Sequence, residues 1–101
     1  MTLAQGIERR LSETRGPVFY ADIAEHLLRD ALFIVSPELD LLRCGVAVAM
    51  DDADSVGDWI KRGTLRKPTE AERGAWKEEK LARWDAIVVQ PFVLVRLIPD
   101  A

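Results

Sequence analysis

Ala86-Ile87-Val88-Val89-Gln90-Pro91-Phe92-Val93-Leu94-Val95-Arg96-Leu97-Ile98 is the stretch whose conformation decides the fold. It is crowded with β-branched and aromatic residues, too short to cross a bilayer as a helix, and interrupted once by a proline that has no ladder N–H to give. It reads as a long buried strand with a break or bulge at Pro91. A strand this apolar needs cover on both faces, and a chain of 101 residues has limited material for it. A second copy covering or extending the sheet is therefore expected, giving a homodimer through the sheet.

Upstream, Ala31-Leu32-Phe33-Ile34-Val35 is a second continuous apolar run, closed after five residues by Ser36-Pro37, and reads as a strand. Helical spacing fills much of the rest. Leu3, Ile7 and Leu11 recur four apart, predicting a helix over 3–14 that Gly16-Pro17 ends. Residues 21–29 predict a second helix with Ile23 and Leu27 inward. Ser36-Pro37-Glu38 has the form of a helix start, with Ser36 as N-cap. Leu39, Leu42, Val46 and Ala49 then continue a helical stripe, although a break at Gly45 into a strand is the alternative. Residues 55–62 predict a helix capped by Asp54 and closed by Gly63, with Val56, Trp59 and Ile60 inward. Thr69-Glu70-Ala71-Glu72 matches a capping box and opens a helix over about 70–82. The sum is an α+β fold in which about five short helices cover a small sheet formed by residues 31–35 and 86–98, with residues 1–101 as a single domain.

Composition narrows the function classes. The chain is 49% hydrophobic and 31% charged, an ordinary globular balance that excludes wholesale disorder. A net charge of −3 disfavours nonspecific binding to nucleic acid or anionic lipid. The single cysteine, Cys44, permits no internal disulfide. Acidic and basic residues stand among the first ten, where a signal peptide would carry its apolar core, and no apolar stretch reaches a membrane span. A cytoplasmic protein with no membrane association is expected.

Several segments in order carry a resemblance. They are Arg29-Asp30-Ala31-Leu32-Phe33-Ile34-Val35, Leu39-Asp40-Leu41-Leu42, Gly45-Val46-Ala47-Val48-Ala49, Trp59-Ile60 with Gly63, Lys67-Pro68, and Val89-Gln90-Pro91-Phe92-Val93-Leu94-Val95. Together they resemble a family of small bacterial proteins known only as a domain of unknown function. The likeness covers about residues 20–96. It implies a stand-alone bacterial domain and no particular activity.

The residues that carry chemistry form no complete motif. His26, the sole histidine, lies near Asp30 in sequence and has a general base's ordinary pKa, but no nucleophile is placed beside it. Asp51, Asp52 and Asp54 are the densest acidic group, yet they lack the glycine and distal glutamate of a calcium loop, and helix capping accounts for them. Cys44 sits in a core-facing segment and reads as a small buried hydrophobe. No catalytic set, metal site or cofactor is expected; His26, Asp30, Asp51 and Asp52 are the candidate site for an enzyme or small-ligand binder. Residues 46–67 have a helix-turn-helix outline, with Lys61, Arg62, Arg66 and Lys67 as candidate DNA contacts. Acidic residues crowd the approaching face and no base-reading side chain occupies the first turns, so nucleic acid is disfavoured. Trp76 and Trp84, flanked by lysines and glutamates, are expected to be more exposed than Trp59. What remains is a non-enzymatic protein-interaction or accessory module, with an unidentified protein partner.

Overall fold

The computed structural model describes residues 2–78 and 83–97. Its chain order begins with helix α1 (Leu3–Thr14), strand β1 (Gly16–Phe19), helix α2 (Tyr20–Leu28) and strand β2 (Leu32–Val35). Helices α3 (Leu41–Ala49) and α4 (Ala53–Arg62) follow, then the two-residue strand β3 (Leu65–Arg66) and helix α5 (Glu70–Glu78). Strands β4 (Arg83–Val89) and β5 (Phe92–Leu97) end the described chain. This is the α+β architecture with five helices that the hydrophobic patterning predicts.

The run 86–97 supplies two antiparallel strands instead of one interrupted strand; Ile98 lies outside the described residues. Val89 pairs with Phe92 and Trp84 with Leu97, so Gln90 and Pro91 form the reversal. Pro91 thus sits where no ladder donor is needed, and the apolar run folds back on itself. The five strands lie in the order β1-β4-β5-β2-β3. All neighbours are antiparallel except β2 and β5, which run parallel with Leu32 opposite Val93 and Ile34 opposite Val95.

Alternation along the strands sends two apolar sets to opposite faces. Val35, Leu65, Ile87, Val89 and Leu94 pack with Leu11 of α1 and with Leu41 and Cys44 of α3, and Val56 and Trp59 of α4 join them. Leu32, Trp84, Ala86, Val93 and Val95 pack on the other face with Ile23 and Leu27 of α2 and Trp76 of α5. The chain's own helices therefore cover both faces of the sheet, which removes the reason to expect a second copy there. Its edges are also poor templates: β3 has two residues, and β1 carries Pro17, which has no N–H to offer a further strand.

Trp84 and Trp76 correct the expected order of exposure. They are 1% and 9% exposed, packed edge-to-face with ring centroids 5.3 Å apart, while Trp59 is only half-buried. The amphipathic position of each ring outweighs its charged sequence neighbours. Capping differs in detail as well. Ser36 does not open a helix, because its N–H continues the β2–β3 pairing onto the Thr64 carbonyl at 2.8 Å. Asp40 caps α3 instead, accepting from the Arg43 N–H at 3.0 Å. Gly45 lies inside that helix without breaking it; of the expected stripe Leu39 is buried just before α3 and Leu42 and Val46 are half-buried against the core, while Ala49 is exposed and the fully covered face of the helix is Leu41, Cys44, Gly45 and Ala47. Asp52, two residues before Asp54, caps α4 by accepting from the Ser55 N–H at 3.2 Å. Gly63 closes α4 in the left-handed region at φ 76°, which favours glycine. The Thr69–Glu72 capping box forms as expected, with α5 described to Glu78 and residues 79–82 outside the described range.

Candidate functional site

The four expected site residues are not assembled. His26 lies on α2, against one face of the sheet, where its Nδ1 accepts from Arg29 Nη2 at 3.0 Å. Asp51 and Asp52 lie at the α3–α4 corner on the opposite face. Asp52 is occupied as a cap, and its bonds to Ser55 hold its carboxyl below the usual range. Asp51 takes a left-handed φ of 56° and gives its N–H to the Val48 carbonyl. Asp30 also takes a φ of 56°, at the turn from α2 into β2. Its two carboxylate oxygens accept from Lys67 Nζ at 2.6 Å and Arg73 Nη2 at 3.1 Å. The bond from Lys67, more than any other contact, lowers the Asp30 pKa.

Three of the four candidate DNA contacts are paired with carboxylates of this chain. Arg62 pairs with Asp58 one turn back at 3.1 Å. Arg66 grips Glu72 with two nitrogens, at 2.6 and 2.9 Å. Glu72 also completes the α5 capping box, and the Arg66 bond is the main reason its carboxyl is pulled down to about 2. Lys67 is the partner of Asp30. Among the described residues only Lys61 of the four has no acidic partner. Cys44 is fully buried, and desolvation pushes its thiol up to about 11, the reverse of an activated nucleophile.

An apolar pit forms where the α3–α4 corner meets the start of the β2–β5 pair. Phe33, Val48, Val56, Ile60, Leu65, Phe92 and Leu94 line a cavity of about 120 Å³ with no polar group in its wall. Topology builds it. The parallel register sets Phe33 beside Leu94, Phe33 and Phe92 meet edge-to-face at 5.6 Å, and α4 leans Val56 and Ile60 over them. Ile60 is expected inward from its spacing, yet it is 50% exposed at the lip. The amphipathic stripe of α4 is wider than the sheet can cover, and Ile60 is its outer margin.

A charged rim adjoins this pit. Lys67 follows β3, and its ammonium stands 5.7 Å from the Phe33 ring centroid, within range of a cation–π contact. Asp30, one carboxylate, faces both Lys67 and Arg73, so the group of three carries a net positive charge. The sequence places Asp30 and Lys67 in two unrelated candidate sets, whereas the fold joins them across the β2–β3 edge. Phe33 and Phe92 carry no local signal of a site, because their partnership depends on a long-range parallel pairing.

Among the described residues, wider clefts carry mixed linings. One of about 560 Å³ runs between α1, α3 and α4 past Asp40, Arg43 and Asp52, whose roles are largely capping. One of about 340 Å³ lies at the ends of β2 and β5 beside the Arg66–Glu72 pair. His26 borders a third of about 230 Å³, floored by Val88 and Val93. No three His, Cys, Asp or Glu side chains converge on a metal-sized point among the described residues. Nor is any helix among them long and apolar enough to cross a membrane.

No curated protein matches the chain significantly. In fold it is similar to PA1075 from Pseudomonas aeruginosa, whose NMR solution structure superposes with a TM-score of 0.77 at 25% sequence identity. That alignment covers 99% of this chain and 89% of the other. The family described as "Protein of unknown function (DUF2288)" matches residues 6–97. With the match running from the first turns of α1 to the end of β5, the chain belongs to that family of unknown function.

Proposed function

We propose that this protein is a non-enzymatic interaction module of the bacterial cytoplasm, acting as a single domain that holds a protein partner through the Phe33–Ile60 pit. The observation that carries the reading is a wholly apolar cavity open to solvent beside a half-exposed Ile60. Pockets that bury one apolar anchor within a polar surround are the usual centres of protein interfaces. Of the candidate site residues, in contrast, Asp30 is drawn into ion pairs and Asp52 into a cap, while His26 and Asp51 lie toward opposite faces of the sheet, which leaves the set dispersed. Self-association through the sheet is less well supported, because the chain covers its own sheet faces and blunts its edges with β3 and Pro17.

The test is affinity capture from a lysate of the source bacterium, read by quantitative mass spectrometry, with wild type and Ile60→Glu as baits. The reading expects a protein retained by wild type and lost from the variant, with circular dichroism and melting temperature unchanged. Equal capture by both baits, or none by either, overturns it.

A further inference from the structure

We propose that the occupant of the pit is an acidic peptide segment of the partner, seating one leucine-sized side chain in the cavity and setting a carboxylate against Lys67. This rests on the interaction reading above and adds the chemistry of what is held.

Cavity size selects the anchor. An engineered apolar cavity of about 150 Å³ holds benzene, and the present one is about 120 Å³. A leucine, isoleucine or methionine side chain fits this space, and an indole exceeds it. The lining offers no hydrogen bond, so a polar anchor would lose its water without replacement.

Charge selects the flank. Lys67 stands over the Phe33 edge of the pit with about half its side chain in water. Its only acidic partner among the described residues, Asp30, is shared with Arg73. Two cations therefore face one carboxylate, and an ammonium has three donors. A second carboxylate entering beside Phe33 would balance the group and take a Lys67 donor that Asp30 leaves over. A basic flank would meet these cations and be repelled. On the Lys67 side of the anchor the partner's flank would thus be selected by sign, away from Asp51 and Asp52 at the α3–α4 corner, and the anchor by volume.

The experiment uses the full chain, ¹⁵N-labelled, titrated with three acetylated and amidated peptides while amide shifts are followed. The first has leucine between paired aspartates, the second replaces that leucine with alanine, and the third flanks leucine with paired lysines. Shifts should cluster at Val56, Ile60, Leu65 and Phe33 for the aspartate–leucine peptide. Its affinity should exceed each of the others by roughly tenfold and fall with added salt. Lys67→Met keeps the alkyl stem over Phe33 and removes the charge; it should weaken the aspartate–leucine peptide by roughly tenfold and leave the lysine peptide no weaker. Equal binding of the two leucine peptides overturns the acidic flank, and equal binding of the leucine and alanine peptides overturns the anchor. Absence of all three, while Ile60-dependent capture from lysate persists, overturns the peptide chemistry and leaves the interaction module standing. Light scattering gives the remaining outcome: a dimer that Ile60→Glu dissociates would make a second copy the occupant and end this proposal.

Discussion

Glu72 offers a test of whether the basic residues after α4 serve the fold or a ligand. Its carboxylate takes two bonds from Arg66 and one from the Thr69 N–H, and its pKa is drawn from an ordinary 4.5 to about 2. Each tenfold change in proton affinity is worth about 1.4 kcal/mol, so the full displacement corresponds to at most about 3 kcal/mol of stability. The Arg66 and Glu72 side chains keep 42% and 30% of their surface in water. Solvent screening and the entropy of pinning two long side chains reduce this to about 1–2 kcal/mol. Glu72→Gln removes the charge while retaining an acceptor for the Thr69 N–H, so the cap survives and the ion pair does not. A carboxylate whose pKa is lower in the folded state stabilises fully above its unfolded value and loses that effect as pH falls through the folded one. The variant should therefore be less stable than wild type by about 1–2 kcal/mol at pH 7, a midpoint shift of roughly 1 M in urea. The gap should close progressively between pH 4.5 and about 2. Urea melts at pH 7, 4 and 2.5 read this directly. A gap that does not change with pH, or no gap at pH 7, would refute the assignment of Arg66 to a structural ion pair.

Two further outcomes follow from the core. A methyl added by Gly45→Ala would run into the Ile87 and Leu11 side chains where α3 rests on the sheet; despite a helix-propensity gain of about 1 kcal/mol, a net loss of roughly 1–2 kcal/mol is expected in chemical denaturation. Adding Ile87→Val should restore part of it, whereas purely additive losses would contradict the packing argument. Cys44 should resist alkylation at pH 8 in the native protein and react fully in denaturant, while rapid labelling of the folded chain would contradict its burial and raised pKa.

Much of the architecture was legible in local pattern because the signals were local. Thr69 and Glu72 cap α5 through contacts three residues apart, and Gly63 ends α4 by its own backbone freedom. Ile23 and Leu27 point inward because α2 has one apolar stripe. The misread parts each depended on distant partners. Gly16-Pro17 reads only as the end of a helix until Arg83–Ala86 pairs with Gly16–Phe19 as a strand. Ser36 resembles an N-cap until Thr64 claims its N–H. The run after Ala86 could be divided at Pro91 as a bulge or as a reversal, and only the pairing of Trp84 with Leu97 decides between them. The pit was invisible for the same reason, since its walls come from β2, α3, α4, β3 and β5. Its rim was half legible: Asp30 and Lys67 attract notice individually, but their bond spans the chain from 30 to 67.

The strand order β1-β4-β5-β2-β3 puts the last-made hairpin in the middle of the sheet. On the ribosome, β1 emerges with nothing to pair with, and β2 meets only the two residues of β3 until the segment from Arg83 onward has cleared the exit tunnel. At roughly 5–20 residues per second, the nascent chain spends seconds with its α2 and β2 hydrophobes unsheltered. Completion of the sheet therefore waits on the central hairpin: β1 has no partner before β4 is made, and β2 gains its longer neighbour only with β5.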